Sequence, residues 1–140
     1  MSAEGSLLGL AKQVSKGTPI TADANFQYFL YNNSSVAPSN ITLPLDTEVG
    51  GGALLRDVKK VGVMSGGAME FIPRPQMLGH LLYGALGKTV PAPDGTGFKH
   101  TFTLGTNQFD APYFTLRSAP GNMWGEQLQD QRVSALGISF

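Results

Sequence analysis

Apolar residues recur at helical spacing most clearly in the segment between Pro75 and Gly87. The spacing is i, i+3, i+4, i+7 and i+8, carried by Leu78, Leu81, Leu82, Ala85 and Leu86. Proline suits a first helical turn because its missing N–H would have no partner there, and glycine suits the left-handed position that closes a helix. The pattern predicts one α-helix over about residues 75–86, with the five apolar residues packed on a core.

Elsewhere the chain predicts short strands joined by turns rich in glycine and proline. Alternation is clearest over residues 99–105, where His100, Phe102 and Leu104 share one face. Two strands around Ser65, Gly66 and Gly67 predict a hairpin within residues 59–72. Further strands are expected in residues 25–31, 41–45, 112–118 and 130–140.

The order of these elements predicts the fold class. About seven strands and one helix, without regular alternation of strand and long helix, argue against a parallel sheet. We therefore expect a mainly β (α+β) fold, an antiparallel β-sandwich or barrel with one flanking helix. Residues 1–140 are expected to form one domain with a flexible N-terminal arm over about residues 1–24. Because the chain stops inside an alternating strand, either its C-terminus is a structural strand or the chain is the N-terminal part of a longer protein, and we favour the second interpretation.

Composition narrows the possible functions. The 140 residues include no cysteine, which excludes disulfides, thiolate nucleophiles and cysteine-based zinc sites. Ten basic and ten acidic residues are scattered along the chain, so no basic patch for nucleic acid or anionic lipid is visible. Charged residues make up only 14% of the chain, which fits either a modest soluble domain with long loops or a subunit largely covered by copies of itself.

No motif predicts catalysis, a cofactor or a metal. The sequence Gly87-Lys88-Thr89 lacks the earlier glycine of a phosphate-binding loop and would end a helix instead of beginning one. His80 and His100 are interpreted as partly buried structural residues, since no acidic residue lies at a spacing typical of a metal site or a catalytic triad. The chain has no apolar run long enough to span a membrane and no secretory signal, so we expect synthesis in a cytoplasm.

The order of several motifs resembles the tail tube proteins of long-tailed bacteriophages. These motifs are GLAKQVSKGTPIT, EVGGGALLRDVKKVG, SGGAMEFIPRPQMLGHLLYGALG, KHTFTLG, YFTLR and DQRVSALGISF, and together they cover nearly the whole chain. The resemblance implies the tail-tube fold shared with type VI secretion tubes, in which subunits form rings that stack into a conduit for DNA. It implies a virion protein made in the host cytoplasm, with no membrane partner and no sequence-specific binding of DNA. Its partners would be copies of itself, the tape measure, the baseplate and the tail terminator. Members of this family are often longer than this chain.

The glycine-rich segment of about residues 46–57 suggests how such rings would stack. Glycines are costly to order in an isolated subunit, whereas the apolar residues among them would be better buried. We therefore predict a ring-stacking loop formed by Val49, Gly50, Gly51, Gly52, Leu54 and Leu55. The alternative function is a carbohydrate-binding or adhesive β-sandwich, in which Trp124 and Tyr113 would belong to a ligand patch.

Overall fold

The computed structural model describes residues 7–44, 58–107, 110–119 and 125–139. It is mainly β, with antiparallel sheets and one α-helix, which confirms the predicted fold class. The described residues contain ten strands instead of about seven, and these strands form four separate sheets that do not close into a barrel. The strands are β1 Leu7–Lys12, β2 Gln27–Phe29, β3 Asn33–Ser34, β4 Ala37–Pro44, β5 Val58–Gly66, β6 Met69–Glu70, β7 Gly87–Asp94, β8 Gly97–Leu104, β9 Phe114–Ala119 and β10 Glu126–Gln131.

The helix α1 spans Pro75–Leu86, as the sequence predicts. Pro75 occupies its first turn, and Gly87 closes it in the left-handed conformation at φ 85°. The N–H of Gly87 donates to the carbonyl of Tyr83, which satisfies one of the carbonyls that a helix end leaves without a partner. Proline and glycine at these two positions therefore fix the length of the helix.

The largest sheet contains four strands in the order β10, β9, β1 and β2, and all neighbours are antiparallel. Strand β1 lies inside this sheet, and its four central residues, Leu8 to Ala11, are buried. The flexible arm predicted over residues 1–24 is therefore wrong for its described part. Four successive buried residues show that both faces of β1 are covered, so this segment is part of the core.

The core of this sheet combines residues from β1 and β9 with the helix. Leu8 and Phe114 are each only 1% exposed. A methyl group at Gly84 of α1 would lie 2.9 Å from Cε2 of Phe114 and 2.8 Å from Cγ2 of Val133, so the helix approaches the core closely at this glycine. The buried apolar residues are Leu8, Leu10, Ala11, Phe26, Phe29, Met77, Leu81, Phe114 and Leu116.

Polar side chains fasten the segment that follows β1 to the same sheet. The buried hydroxyl of Thr115 accepts a hydrogen bond from the N–H of Ile20 at 3.0 Å. Asp130 accepts from the N–H of Gly17 at 2.7 Å and from the side-chain amide of Gln13 at 3.2 Å. The backbone N–H of Asp130 in turn donates to Gln13 at 2.9 Å. These bonds hold residues 13–20 in place without regular secondary structure.

Arg117 on β9 makes a second set of contacts with this segment. Its guanidinium donates to Asp23 and to Gln127, each at 2.9 Å, and to the carbonyl of Thr21 at 3.1 Å. The same group lies 4.1 Å from the ring centroid of Phe26. Arg117 therefore joins β10 to the segment that leads into β2 by charge-assisted bonds and a cation–π contact.

The remaining strands form pairs. β4 pairs with β5, β3 with β6, and β7 with β8. The hairpin predicted within residues 59–72 is wrong, because β5 and β6 pair with earlier strands and not with each other.

The expected strand over residues 130–140 is also wrong for its described part, since β10 ends at Gln131 and residues 132–139 form no strand. The β7–β8 hairpin turns at Asp94 and Gly95, where Gly95 has φ 59°.

The chain divides into two compact units. One contains the described residues before Ser34 and after Met69, including the four-stranded sheet, α1 and the β7–β8 hairpin. The other lies within Ser34–Met69 and consists mainly of the β4–β5 pair.

Candidate assembly surfaces

The apolar stripe of α1 is divided between the core and a groove. Leu81 is buried, but Leu78, Leu82 and Leu86 are half-buried and Ala85 is exposed. The buried face consists of Met77, Leu81 and Gly84 instead. The prediction that all five stripe residues pack on the core is thus wrong for the isolated chain. The helix is rotated so that Gly84, which lacks a side chain, can lie directly against Phe114.

Leu78 and Leu82 line a groove of about 660 Å³ between α1 and the β7–β8 hairpin. Its opposite wall includes Phe102, whose Cζ lies 3.9 Å from where a methyl group at Gly79 would be. The hydroxyl of Thr89 is buried and has no hydrogen-bond partner among the described residues. The full lining is Lys12, Pro75, Gln76, Leu78, Gly79, His80, Leu82, Tyr83, Thr89, His100 and Phe102.

Both histidines lie at this groove, which the sequence did not predict. Burial lowers the pKa of His80, and the positive charge of Lys12 lowers it further. The imidazole of His80 therefore favours the neutral form. The ring of His100 stacks on that of Phe102, with centroids 6.5 Å apart. Within the described ranges, no three His, Cys, Asp or Glu side chains are grouped so that they could hold a metal ion.

The loop predicted to stack rings lies outside the described residues, as does Trp124. The ring-stacking role of Val49, Gly50, Gly51, Gly52, Leu54 and Leu55 therefore stays a prediction. Tyr113 is half-buried, and the cationic groups of Lys16 and Arg132 lie 6.0 Å and 5.3 Å from its ring centroid.

The β4–β5 ribbon, Ala37–Pro44 paired with Val58–Gly66, exposes apolar side chains on both faces. Residues opposite each other in an antiparallel pair share a face, so Ile41 and Leu43 lie on the same side as Met64. Val58 and Val63 lie on the other side. All five are classed among the exposed large apolar residues, and Met64 is 64% exposed. Because two strands bury little by themselves, such a ribbon is only marginally stable in water without further packing.

The β7–β8 ribbon, Gly87–Asp94 paired with Gly97–Leu104, has one apolar and one polar face. The register places Phe98, Phe102 and Leu104 on one face with Pro91, Thr89, His100 and Pro93. The opposite face carries Lys88, Lys99, Thr101 and Thr103, with Val90 as its large apolar residue. The groove against α1 uses part of the apolar face, yet Phe98 remains 72% exposed and Leu104 76% exposed.

Prolines distinguish the two edges of each ribbon. β4 contains Pro38 and Pro44 and β7 contains Pro91 and Pro93, whereas β5 and β8 contain none. Proline cannot donate a hydrogen bond, so in a strand it is tolerated where its nitrogen faces away from the partner strand. Each ribbon therefore has one edge with missing donors and one edge without proline.

A backbone hydrogen bond beside the first pair of the β7–β8 ribbon shows which pairs of residues are bonded, and it agrees with the outward-facing nitrogens of the prolines. The N–H of Gly105 donates to the carbonyl of Leu86 at 2.6 Å. Antiparallel partners alternate between bonded and non-bonded pairs, so the Pro91–His100 and Pro93–Phe98 pairs are non-bonded. The backbone donors of Phe98, Phe102 and Leu104, together with that of His100, consequently point to the outer edge of β8.

The sequence contained part of the signal for these surfaces. Alternation over residues 99–105 identified β8 and its apolar face, but the sequence analysis did not predict β7, whose two prolines are more typical of turns and loops. Prolines at alternate positions, Pro91 and Pro93, were the signal that would have identified an edge strand.

No helix in the part of the chain that the structure describes is long and apolar enough to cross a membrane.

Comparisons with known proteins identify no family for this chain. The chain matches no protein-family model, no curated protein and no solved structure.

Proposed function

We propose that this chain is a structural virion protein that assembles into stacked rings, forming the tail tube through which a bacteriophage delivers its DNA. One observation supports assembly above all. Two β-ribbons, β4–β5 and β7–β8, expose large apolar side chains and each has a proline-free edge. Natural proteins usually protect such edges or cover them, because they are templates for pairing with another chain.

Closed assembly would account for both features together. In a ring of identical subunits every ribbon has the same neighbour, so exposed edges and apolar faces are covered throughout the structure. The low charge content and zero net charge of the chain impose little repulsion between copies. The proposed role needs neither catalysis nor a cofactor.

The choice of a tail tube among ring-forming proteins rests on the order of the sequence motifs. The mainly β fold with one helix is compatible with that resemblance. DNA would then pass through the tube without sequence-specific contacts, and the tape measure, baseplate and tail terminator would be the other partners. The protein would be located in the tail of the virion.

Electron microscopy of the purified chain, together with light scattering over a range of concentrations, tests the proposal. Rings or tubes of uniform diameter, whose number increases with protein concentration, would support the proposal. A chain that remains a monomer at every concentration would contradict it. If the monomer also showed sugar-dependent quenching of the single tryptophan, the carbohydrate-binding alternative would be favoured.

A further inference from the structure

We propose that the proline-free edge of β5 in one copy pairs, in antiparallel orientation, with the proline-free edge of β8 in the next copy. This inference rests on the proposed function in one respect, namely that the copies form a closed ring. It adds to that function by naming the two strands that meet and their relative direction.

Prolines determine which ribbon edges can bond to an added strand. On β7, Pro91 and Pro93 lack the outward N–H groups that would donate to such a strand. On β8 the corresponding outward positions, Phe98 and His100, have their N–H groups, as do Phe102 and Leu104. β4 is interrupted in the same way by Pro38 and Pro44, and β5 has no such interruption. A strand that joins either ribbon should therefore choose β5 or β8.

Pairing between two different edges is what ring closure requires. A contact between identical edges has two-fold symmetry and ends at a dimer, whereas a head-to-tail contact continues from one copy to the next. The two ribbons in the described part of the chain supply one proline-free edge each, β5 within Ser34–Met69 and β8 outside that unit. One β5–β8 contact per neighbour would therefore use both edges of every copy.

Lysines indicate the relative direction of the two strands. Lys59 and Lys60 lie near the start of β5, and Lys99 lies near the start of β8. Parallel pairing would bring these like charges side by side, which is unfavourable across a pair of strands. Antiparallel pairing places the lysines at opposite ends and brings Lys99 toward the uncharged Met64. Apolar residues of both strands, including Val63 and Phe98, would then lie at the same contact.

Disulfide trapping can test the contact cleanly because the chain has no cysteine of its own. One preparation carries Met64→Cys on β5. A second carries Lys99→Cys, Thr101→Cys or Thr103→Cys on β8, which samples three registers on one face. The two preparations are mixed under assembly conditions, oxidised gently and separated without reducing agent. Only cysteines on adjacent strands come close enough for a disulfide.

Matched controls carry the cysteine on the proline-containing strand of the same ribbon. Ser39→Cys replaces Met64→Cys, because Ser39 lies directly opposite Met64. Val90→Cys replaces Thr101→Cys, because Val90 lies directly opposite Thr101. Each control therefore places the cysteine on the same face and at the same position along the ribbon, but on the other strand.

The expected result is a covalent dimer between the β5 and β8 variants in at least one register, at ten times or more the yield with either control. Equal yields with the controls, or no dimer in any register, would overturn the inference. Dimers formed efficiently by a β8 variant alone would also overturn it, because they indicate pairing between identical edges.

Microscopy of the same mixtures separates this inference from the proposed function. Trapped β5–β8 dimers without rings or tubes would support the strand pairing and contradict the proposed tube. Rings or tubes without β5–β8 disulfides would support the proposed tube and contradict the strand pairing.

Discussion

The four-stranded sheet and the β4–β5 ribbon are both antiparallel, yet their side chains have different surroundings. In the sheet, Leu8 and Phe114 are almost completely buried, and polar side chains bind the adjoining segment. In the ribbon, Leu43 and Met64 are exposed on one face, and Val63 is exposed on the other. Strand pairing alone therefore does not make a stable unit, because most of the stability comes from burying apolar surface.

Removing a large apolar side chain should lower the free energy of unfolding far more in the four-stranded sheet than in the β4–β5 ribbon. Phe114→Ala should reduce the free energy of unfolding by about 3–5 kcal/mol, because it leaves a cavity in the core. Leu43→Ala on the ribbon should change it by less than about 0.5 kcal/mol, because the side chain is exposed in the free chain. Urea unfolding of dilute protein measures both. Equal costs would show that the ribbon is as well packed as the sheet.

A smaller effect is expected from two glycines of α1. Gly84→Ala should destabilise the chain by about 1–3 kcal/mol, since its methyl group would lie under 3.0 Å from both Phe114 and Val133. Gly79→Ala is the matched control on the groove side, where the nearest atom is Phe102 Cζ at 3.9 Å. It should stabilise the chain by up to about 1 kcal/mol, because alanine favours a helix over glycine. Thermal and urea unfolding should show that Gly84→Ala is less stable than the parent and that Gly79→Ala is more stable. If Gly84→Ala were as stable as Gly79→Ala, the close approach of α1 to the sheet would be wrong.

The contacts of Arg117 should have an effect of intermediate size. Arg117→Met should cost about 1–2 kcal/mol, because it removes hydrogen bonds to the segment before β2 and to Gln127 while keeping an apolar stem. Asp23→Asn should cost less than about 1 kcal/mol, since Asp23 is 77% exposed and an ion pair at the surface contributes little. Urea unfolding at low salt measures the difference. A larger loss for Asp23→Asn than for Arg117→Met would contradict the central role of the guanidinium.

The smallest expected effect concerns His80 and pH. Burial lowers the pKa of this residue in the folded chain, whereas its pKa in the unfolded chain is about 6.5. Well above that pH both states hold a neutral imidazole, so stability is unaffected. As the pH falls through about 6.5 toward the lowered folded pKa, the unfolded state binds more protons and stability decreases.

His80→Gln should remove this part of the pH dependence. Between about pH 7.5 and pH 5.5, the free energy of unfolding should therefore decrease less for the variant than for the parent. His100→Gln is the control, since it changes the other histidine of the same groove. Identical losses for His80→Gln and the parent would show that burial of His80 has no thermodynamic consequence.

The sequence predicted best those elements whose signals are local. The bounds of α1 followed from Pro75 and Gly87, and alternation identified β8. The buried strand β1 was missed because both its faces are covered, so its short sequence shows no alternation. The partner of β5 was assigned wrongly, since pairing between β4 and β5 joins segments well apart in the chain. Local spacing carries little information about such pairing.

The candidate surfaces were predictable only in part for a similar reason. The apolar stripe of α1 was visible, but which leucines face the sheet depends on Gly84 fitting against Phe114. That fit is a property of two distant segments. The low charge content fits either a modest soluble domain or a subunit covered by copies of itself, and it did not indicate which strands would carry exposed apolar residues.

Amide hydrogen exchange of β4–β5, compared between dilute protein and the assembled form, tests whether this ribbon is an assembly surface. We expect β4–β5 amides to exchange rapidly in dilute protein and to become protected at least tenfold on assembly, because neighbouring copies cover the ribbon. Amides of β1 and β9 should be well protected in both samples, since the core of their sheet is already buried. If β4–β5 amides were equally protected at every concentration, the ribbon would be complete in a single chain, and the claim that it is an assembly surface would be contradicted.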